Sequence, residues 1–385
     1  MSAVKVLMFI SHPEFGGTET HVLSLAKRLR KYGIQTGVAT YGGPFVPILR
    51  RQGISVHKIS RTKSSSSATA ALALVSIVKK SGYDIVHAHD IESFRMLPHL
   101  AKRLPTIPRV ITVHGVYYSM PELRCAARAA NLVIAVSPIV RQRVIRAGAP
   151  EAKVKWIPNG IDLEKYAPTT HVIRYRRMLK LPPKAPIGLY AGRFQGDKWK
   201  IARKFILASE QVARKNSSFI SVLVGYGVYR IQLSQLAKQV NQRLGRAAVR
   251  VLPPTTHMEN YYRAANLVVG TGRVALEAMA CGKPVITAGI SGYEGIIGPK
   301  TWRRSVAHQF GDHGAIKRTT VRALSNDIHR LLAQPQLATL SGRFARTRVL
   351  QEFSIRQAAK STRQVYMKTV SVRRRGIRTP VGIRR

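Results

Sequence analysis

The stretch 268-VVGTGRVALEAMACGKPVITAG-289 decides how the chain folds. Val268 and Val269 are β-branched and end an apolar strand. Gly270, Thr271 and Gly272 open a helical run, "RVALEAMACG", and "PVITAG" is a second apolar strand. Strand, helix and strand at this spacing predict a parallel βαβ unit. Small residues at the helix start let a ligand come close to the backbone N–H groups, and the helix dipole favours an anion there. Glu277 lies a turn and a half further in. A carboxylate pointing back to the mouth accepts hydrogen bonds from two ribose hydroxyls; an ordinary helix-surface Glu is the plainer alternative.

The same alternation extends in both directions. "KVLMFIS", "QTGVATY", "YDIVHAH", "RVITVHG" and "NLVIAVS" are strands, with helical patterns at "THVLSLAKRLRKYG" and "ATAALALVSIVKKSG" between the earlier ones. Val22, Leu25, Ala26 and Leu29 share one face of the first of these helices. The turn-rich "VKWIPNGIDLEKYAP" and the polar run to "LPPKAP" mark a junction, after which "IGLYAGR" restarts the β-α alternation. The fold class is α/β, with two Rossmann-like, doubly wound parallel sheets. A length of 385 residues fits two cores. The expected boundaries are 1–165 for the first domain, 166–355 for the second, and 356–370 for a terminal helix packing back toward the first. Residues 371–385, including "SVRRRGIRTPVGIRR", lack periodicity and read as a basic disordered tail.

Composition narrows the function. Cys125 and Cys281 are the only cysteines, so no disulfide framework is available, and a reducing, cytoplasmic setting fits. No apolar run approaches the roughly 18 residues that span a bilayer. Lys and Arg total 64 against 17 Asp and Glu, a formal charge of +47. Such a field attracts polyanions or an anionic membrane, although a solvated basic surface accounts for it equally. Aromatics are 7% and do not interleave with the basic residues, so no specific nucleic-acid partner is expected.

Ligands of open α/β sheets bind at the carboxyl ends of strands. In "HPEFGGTETH", Gly16-Gly17 opens the first helix and admits a phosphate; a flexible turn is the alternative. His114 ends the strand of "TVHGVYY" and is placed to meet a reacting group. "HAHD", His87 to Asp90, offers only two histidines, too few to complete a metal shell. In "YAGRFQGDKWK", Arg193 and Lys198 suit a diphosphate, Arg as a fork and Lys as a point charge.

Taken in order, "GGTETHV", "DIVHAHD", "VIAVSPIVRQRV", "IPNGIDLEKY", "AGRFQGDK" and "LEAMACGKPVITAG" resemble the family-4 glycosyltransferases. The resemblance runs from about Lys5 to Val370. It implies the GT-B architecture, two Rossmann-like domains facing a central cleft, and retaining transfer of a sugar from a nucleotide-sugar donor to a hydroxyl acceptor. On this basis Gly16 and Gly17 face the donor diphosphate and the acceptor, and His114 sits near the transferred sugar. Arg193 and Lys198 bind the diphosphate as it leaves, and Glu277 holds the ribose. Gly270, Thr271, Gly272 and Arg273 complete the donor site, and "GISGYEGII" supplies backbone contacts.

One departure stands out. The family pattern has two glutamates with seven residues between them; the second is Glu277, and the first falls on Val269. Compensation by Thr271, Arg273 or the N–H groups of 270–272 is one reading. A non-catalytic sugar-nucleotide-binding homologue is the alternative. No Asp-x-Asp motif occurs, so neither metal nor other cofactor is expected. A role in cell-envelope polysaccharide or glycolipid synthesis is expected with it, and the +47 charge with the basic tail from Arg373 to Arg385 predicts peripheral attachment to the inner membrane face, where a lipid-linked acceptor would be presented. A dinucleotide-dependent dehydrogenase needs G-x-G-x-x-G after the first strand, which "PEFGGTETH" lacks.

Overall fold

A computed structural model describes residues 3–60 and 67–377. The chain divides into two compact units, Met1–Gly160 with Ile355–Arg385, and Ile161–Ser354.

The first unit alternates strand and helix. It comprises β1 (Val4–Phe9), α1 (Gly17–Arg30), β2 (Ile34–Thr40), α2 (Val46–Arg51), β3 (Ser55–Lys58) and α3 (Ser67–Ser81). It continues through β4 (Ile85–Ala88), α4 (Ile91–Arg103), β5 (Arg109–Val113), α5 (Met120–Ala129), β6 (Leu132–Ala135), α6 (Pro138–Arg146) and β7 (Val154–Trp156). Helix starts follow local chemistry. Asp90 caps α4 in a capping box with Ser93, and Ser119 and Ser137 cap α5 and α6, each ahead of a proline in the first turn. The seven strands are all parallel, in the order β3-β2-β1-β4-β5-β6-β7. Buried on both faces, they read as near-continuous apolar runs.

The second unit contains α7 (Val172–Met178), β8 (Ile187–Arg193), α8 (Lys198–Lys215), β9 (Ile220–Tyr226), α9 (Arg230–Leu244), β10 (Val249–Leu252) and α10 (Met258–Ala264). Then follow β11 (Leu267–Gly270), α11 (Gly272–Ala280), β12 (Val285–Gly289), β13 (Gly292–Ile296), α12 (Trp302–Ala307), α13 (Val321–Ala333) and α14 (Pro335–Glu352). Strand order is β10-β9-β8-β11-β12-β13. One feature departs from an all-parallel sheet. β13 pairs antiparallel with β12, Gly289 opposite Gly292, so "GISGYEGII" folds as a tight hairpin. Gly292 has φ +137°, and a Cβ there would stand 2.3 Å from the Lys317 carbonyl oxygen, so only glycine fits the corner.

The closing helix, α15 (Ile355–Ile377), belongs to the first unit and packs against α1. Ile355, Ala358, Ala359, Val365, Tyr366 and Val370 join the core beneath β1 and α1. The helical backbone continues past the expected end at 370, to Ile377. Residues 371–377, read from sequence as disordered tail, are helical, and 378–385 lie outside the described residues. Among the described residues, no helix is long and apolar enough to cross a membrane.

Candidate active site

Both sheets carry the strand order that reverses direction beside the first strand, between β1 and β4 and between β8 and β11. At such a switch point the loops leave toward opposite faces, and a crevice opens at the carboxyl ends. The residues expected to carry chemistry sit at these ends in each unit.

In the second unit, β8 ends at the exposed Arg193, and Lys198 starts α8. β11 passes into α11 through Thr271 alone. Thr271 is the N-cap, but its hydroxyl does not cap the helix; it donates instead to Asp312 Oδ1 at 3.4 Å. Lys198 Nζ donates to the same oxygen at 3.0 Å. Burial alone would raise the Asp312 pKa. The positive charges of Lys198, His313 and Arg193 outweigh it and hold the carboxyl below its ordinary value. Lys198, Thr271 and Asp312 therefore meet at one mouth, with Arg193 within electrostatic reach.

Asp312 was not singled out from sequence. It arrives on a strained turn: Gln309, Phe310 and Gly311 have φ of 51°, 52° and 78°. Left-handed backbone at two non-glycine residues costs on the order of 1–3 kcal/mol each and persists only where surroundings enforce it. Here Phe310 is fully buried, its N–H donates to the Ser305 carbonyl at 2.6 Å, and the Gly272 N–H donates to the Gln309 carbonyl at 3.2 Å. Gly289 permits the approach, because a Cβ there would lie 2.5 Å from the Gly311 carbonyl oxygen.

Glu277 and Arg273 are placed otherwise than an open donor site suggests. Arg273 Nε donates to Glu277 Oε1 at 2.8 Å, and the Tyr262 hydroxyl donates to Oε2 at 3.2 Å. Both charged side chains are buried. Arg273 is thus neutralised by Glu277 one turn along α11. The Gly272 N–H is likewise committed to Gln309, and Gly270 lies within the β11 ladder opposite Thr287. Val269 is 0% exposed, inside β11 between Tyr190 and Ile286. The position that the family spacing assigns to the first glutamate therefore lies in the core, and no side chain there reaches the mouth.

In the first unit, Gly16 caps α1 with extended backbone and Gly17 begins it. The Glu19 carboxylate curls back over Gly16, with Oε2 2.5 Å from where a Gly16 Cβ would stand. His114 follows β5, and its ring lies 5.2 Å from that of His21 on α1. His114 Nε2 and His89 Nδ1 share a hydrogen bond of 3.2 Å. His87 bonds the Tyr366 hydroxyl at 2.6 Å and the Thr112 hydroxyl at 2.8 Å. Burial, then the His114 charge, pushes the His87 pKa down to about 3. Burial and the neighbouring histidines hold His89 well below its usual value. The rings of His21, His89 and His114 offer nitrogens within 4.8 Å of one another, a threefold cluster that "HAHD" alone did not reveal.

Comparison with known proteins follows this division. Residues 15–165 match the model for Glycosyltransferase Family 4, and residues 172–347 match the model for Glycosyl transferases group 1. The chain belongs to the family-4 glycosyltransferases. Among the relatives of this glycosyltransferase is D-inositol 3-phosphate glycosyltransferase 1 of Catenulispora acidiphila. It is 28% identical over 362 residues, covering 83% of this chain and 84% of the relative. Alpha-maltose-1-phosphate synthase of Mycobacterium tuberculosis is 26% identical, covering 92% and 96%. The glycosyltransferase shares its fold with Anabaena HepE, solved in complex with UDP-glucose, at TM-score 0.76, 22% identity and coverage of 94% and 99%. It also shares it with sucrose-phosphate synthase from Thermosynechococcus elongatus, at TM-score 0.72, 22% identity and coverage of 96% and 100%.

Proposed function

We propose that this glycosyltransferase moves a sugar from a nucleoside-diphosphate donor to a hydroxyl acceptor, with retained anomeric configuration and without a metal. The carrying observation is the pair Arg193 and Lys198 at the β8–β11 switch point, beside the N-terminus of α11. Two cations and a helix dipole there are suited to the charge that develops on a departing diphosphate. Lys198 keeps its contact with Asp312 and turns its remaining N–H groups to the phosphate. Arg193 clamps the diphosphate through its planar fork. Glu277 accepts the ribose hydroxyls at the edge of its pair with Arg273, and Gly270 to Gly272 keep the donor close to the backbone. In the first unit, Gly16 and Gly17 face donor and acceptor, and His114 lies beside the transferred sugar. The acceptor hydroxyl attacks from the side of the leaving diphosphate, which takes its proton.

The related proteins' names support a sugar-transfer role, and the HepE complex supports a uridine donor. A thermal-shift screen of UDP-, GDP- and ADP-sugars tests the donor, since a ligand that binds only the native state raises Tm. No shift with any of them defeats the reading. Val269 favours one competing reading, a sugar-nucleotide binder without turnover. Slow donor hydrolysis in the absence of acceptor separates the two, because a pure binder releases no nucleoside diphosphate. The +47 charge further supports attachment to an anionic membrane that presents a lipid-linked acceptor. Pelleting with anionic but not neutral liposomes, abolished by high salt, is the expected result.

A further inference from the structure

The mouth of the second unit holds a carboxylate that the donor reading leaves without a task. Asp312 Oδ1 accepts from Lys198 at 3.0 Å and from Thr271 at 3.4 Å. Oδ2 accepts no hydrogen bond from any described residue; His313 Nε2 lies 4.0 Å from it. The side chain is 27% exposed, at the start of α11, where Oδ2 lies 3.4 Å from the position a Gly272 Cβ would take. A buried Phe310, a left-handed backbone at Gln309 and Phe310, and a glycine at 289 all serve to bring the turn to this spot.

An acceptor-only oxygen beside phosphate-binding cations repels phosphate itself and selects a hydrogen-bond donor next to it. In a nucleotide sugar those donors are hydroxyls. The carboxylate of Glu277 is given to the ribose in the donor reading, and position 269 is closed within the core. Resting on that reading, we propose that Asp312 accepts a hydroxyl of the donor sugar and so selects which sugar is transferred. The second acid of the site then comes from the turn after α12 rather than from the β11–α11 segment. Lys198, fixed by Asp312, sits between the sugar contact and the diphosphate, so one ion pair ties sugar recognition to leaving-group stabilisation.

The test compares the parent with Asp312→Asn and Asp312→Ala. It measures affinity for UDP, and kcat/KM for UDP-glucose and its monodeoxy analogues. A hydroxyl bonded to a charged acceptor implies a loss of roughly 10- to 100-fold in kcat/KM with UDP-glucose for Asp312→Ala. UDP, which lacks the sugar, should bind the variant at least as well as the parent. One deoxy analogue should cost the parent a similar factor and the variant nothing more, the non-additivity of a direct contact. An equal loss with every analogue, or a matching loss of UDP affinity, shows that Asp312 only holds Lys198 or the ribose, and overturns the proposal. Asp312→Asn keeps the shape of the turn, and its unchanged Tm guards against a folding artefact. A parent that binds none of UDP, GDP and ADP defeats the donor reading as well. A parent that binds UDP alongside indifferent variants defeats this inference alone.

Discussion

Arg273 Nε stands 2.8 Å from Glu277 Oε1 across one turn of α11, with both side chains less than a tenth exposed. Removing one member of such a pair leaves a buried charge without its partner. Arg273→Ala should therefore lower stability by about 3–5 kcal/mol, seen as a drop in the urea midpoint. An unchanged midpoint would mean that Tyr262 and water suffice for Glu277.

Arg193→Ala and Lys198→Ala should act on the reaction rather than on the fold. Removing a preformed charge partner of a developing anion costs on the order of 100-fold or more in kcat. Steady-state rates with the donor found in the thermal-shift screen check this, with circular dichroism to confirm folding. Parental rates in both variants would take the diphosphate away from this pair.

Val269→Glu places a carboxylate inside β11, against Tyr190 and Ile286. Restoring the family's acid at this position should therefore not raise activity. It should cost about 4 kcal/mol or more, or abolish soluble expression, because a buried unpaired charge has no compensation. A soluble, more active variant would show that β11 can end one residue early.

The histidines of the first unit set an acid limit. The His87 pKa is lowered from 6.5 to about 3, and His89 is shifted the same way. The unfolded chain takes up these protons below about pH 6.5 while the folded chain resists them, so stability present above that pH is lost as pH falls. Each such histidine contributes up to about 1.4 kcal/mol per pH unit. Urea melts between pH 7 and 5 should show the loss, and His87→Gln should shrink it. A flat profile would mean that folded and unfolded chains take up the same protons over this range, so that these histidines keep their ordinary pKa in the native state.

Metal independence has a direct check. Activity after exhaustive EDTA treatment should equal that of untreated enzyme. Loss that zinc restores, and that His89→Ala abolishes, would place an ion among His21, His89 and His114 and revise the mechanism.

Much of this was legible in the sequence because parallel strands are apolar on both faces and their helices have local caps. The sites at strand ends follow from that, as with Arg193, Lys198 and His114. What escaped is tertiary. Asp312 reaches Lys198 only through a left-handed turn at Gln309 and Phe310, residues that ordinarily avoid that backbone. A signal did exist: with 17 acids in the whole chain, one flanked by Gly311 and Gly314 invited notice. Spacing alone also misplaced the first family acid, since counting back from Glu277 cannot show that β11 runs straight to Thr271. The β12–β13 hairpin was masked by a strand reading that ended at Gly289, although Gly289 and Gly292 bracket a two-residue turn.

Helix α15, which follows the whole second unit in the sequence, completes the first unit. Tyr366 closes on His87 at 2.6 Å, and Ile355, Ala358, Val365 and Val370 complete that core. A ribosome delivers these residues only after all of Ile161–Ser354 has been made. The usual order of synthesis, in which the N-terminal unit matures first, is thereby inverted. The later unit is the one free to fold on emergence. The earlier waits with an apolar strip on β1 and α1 uncovered, a window in which a chaperone or an aggregation partner can find it. A released chain that ends at Ser354 should accordingly be protease-resistant in its second half and sensitive in its first.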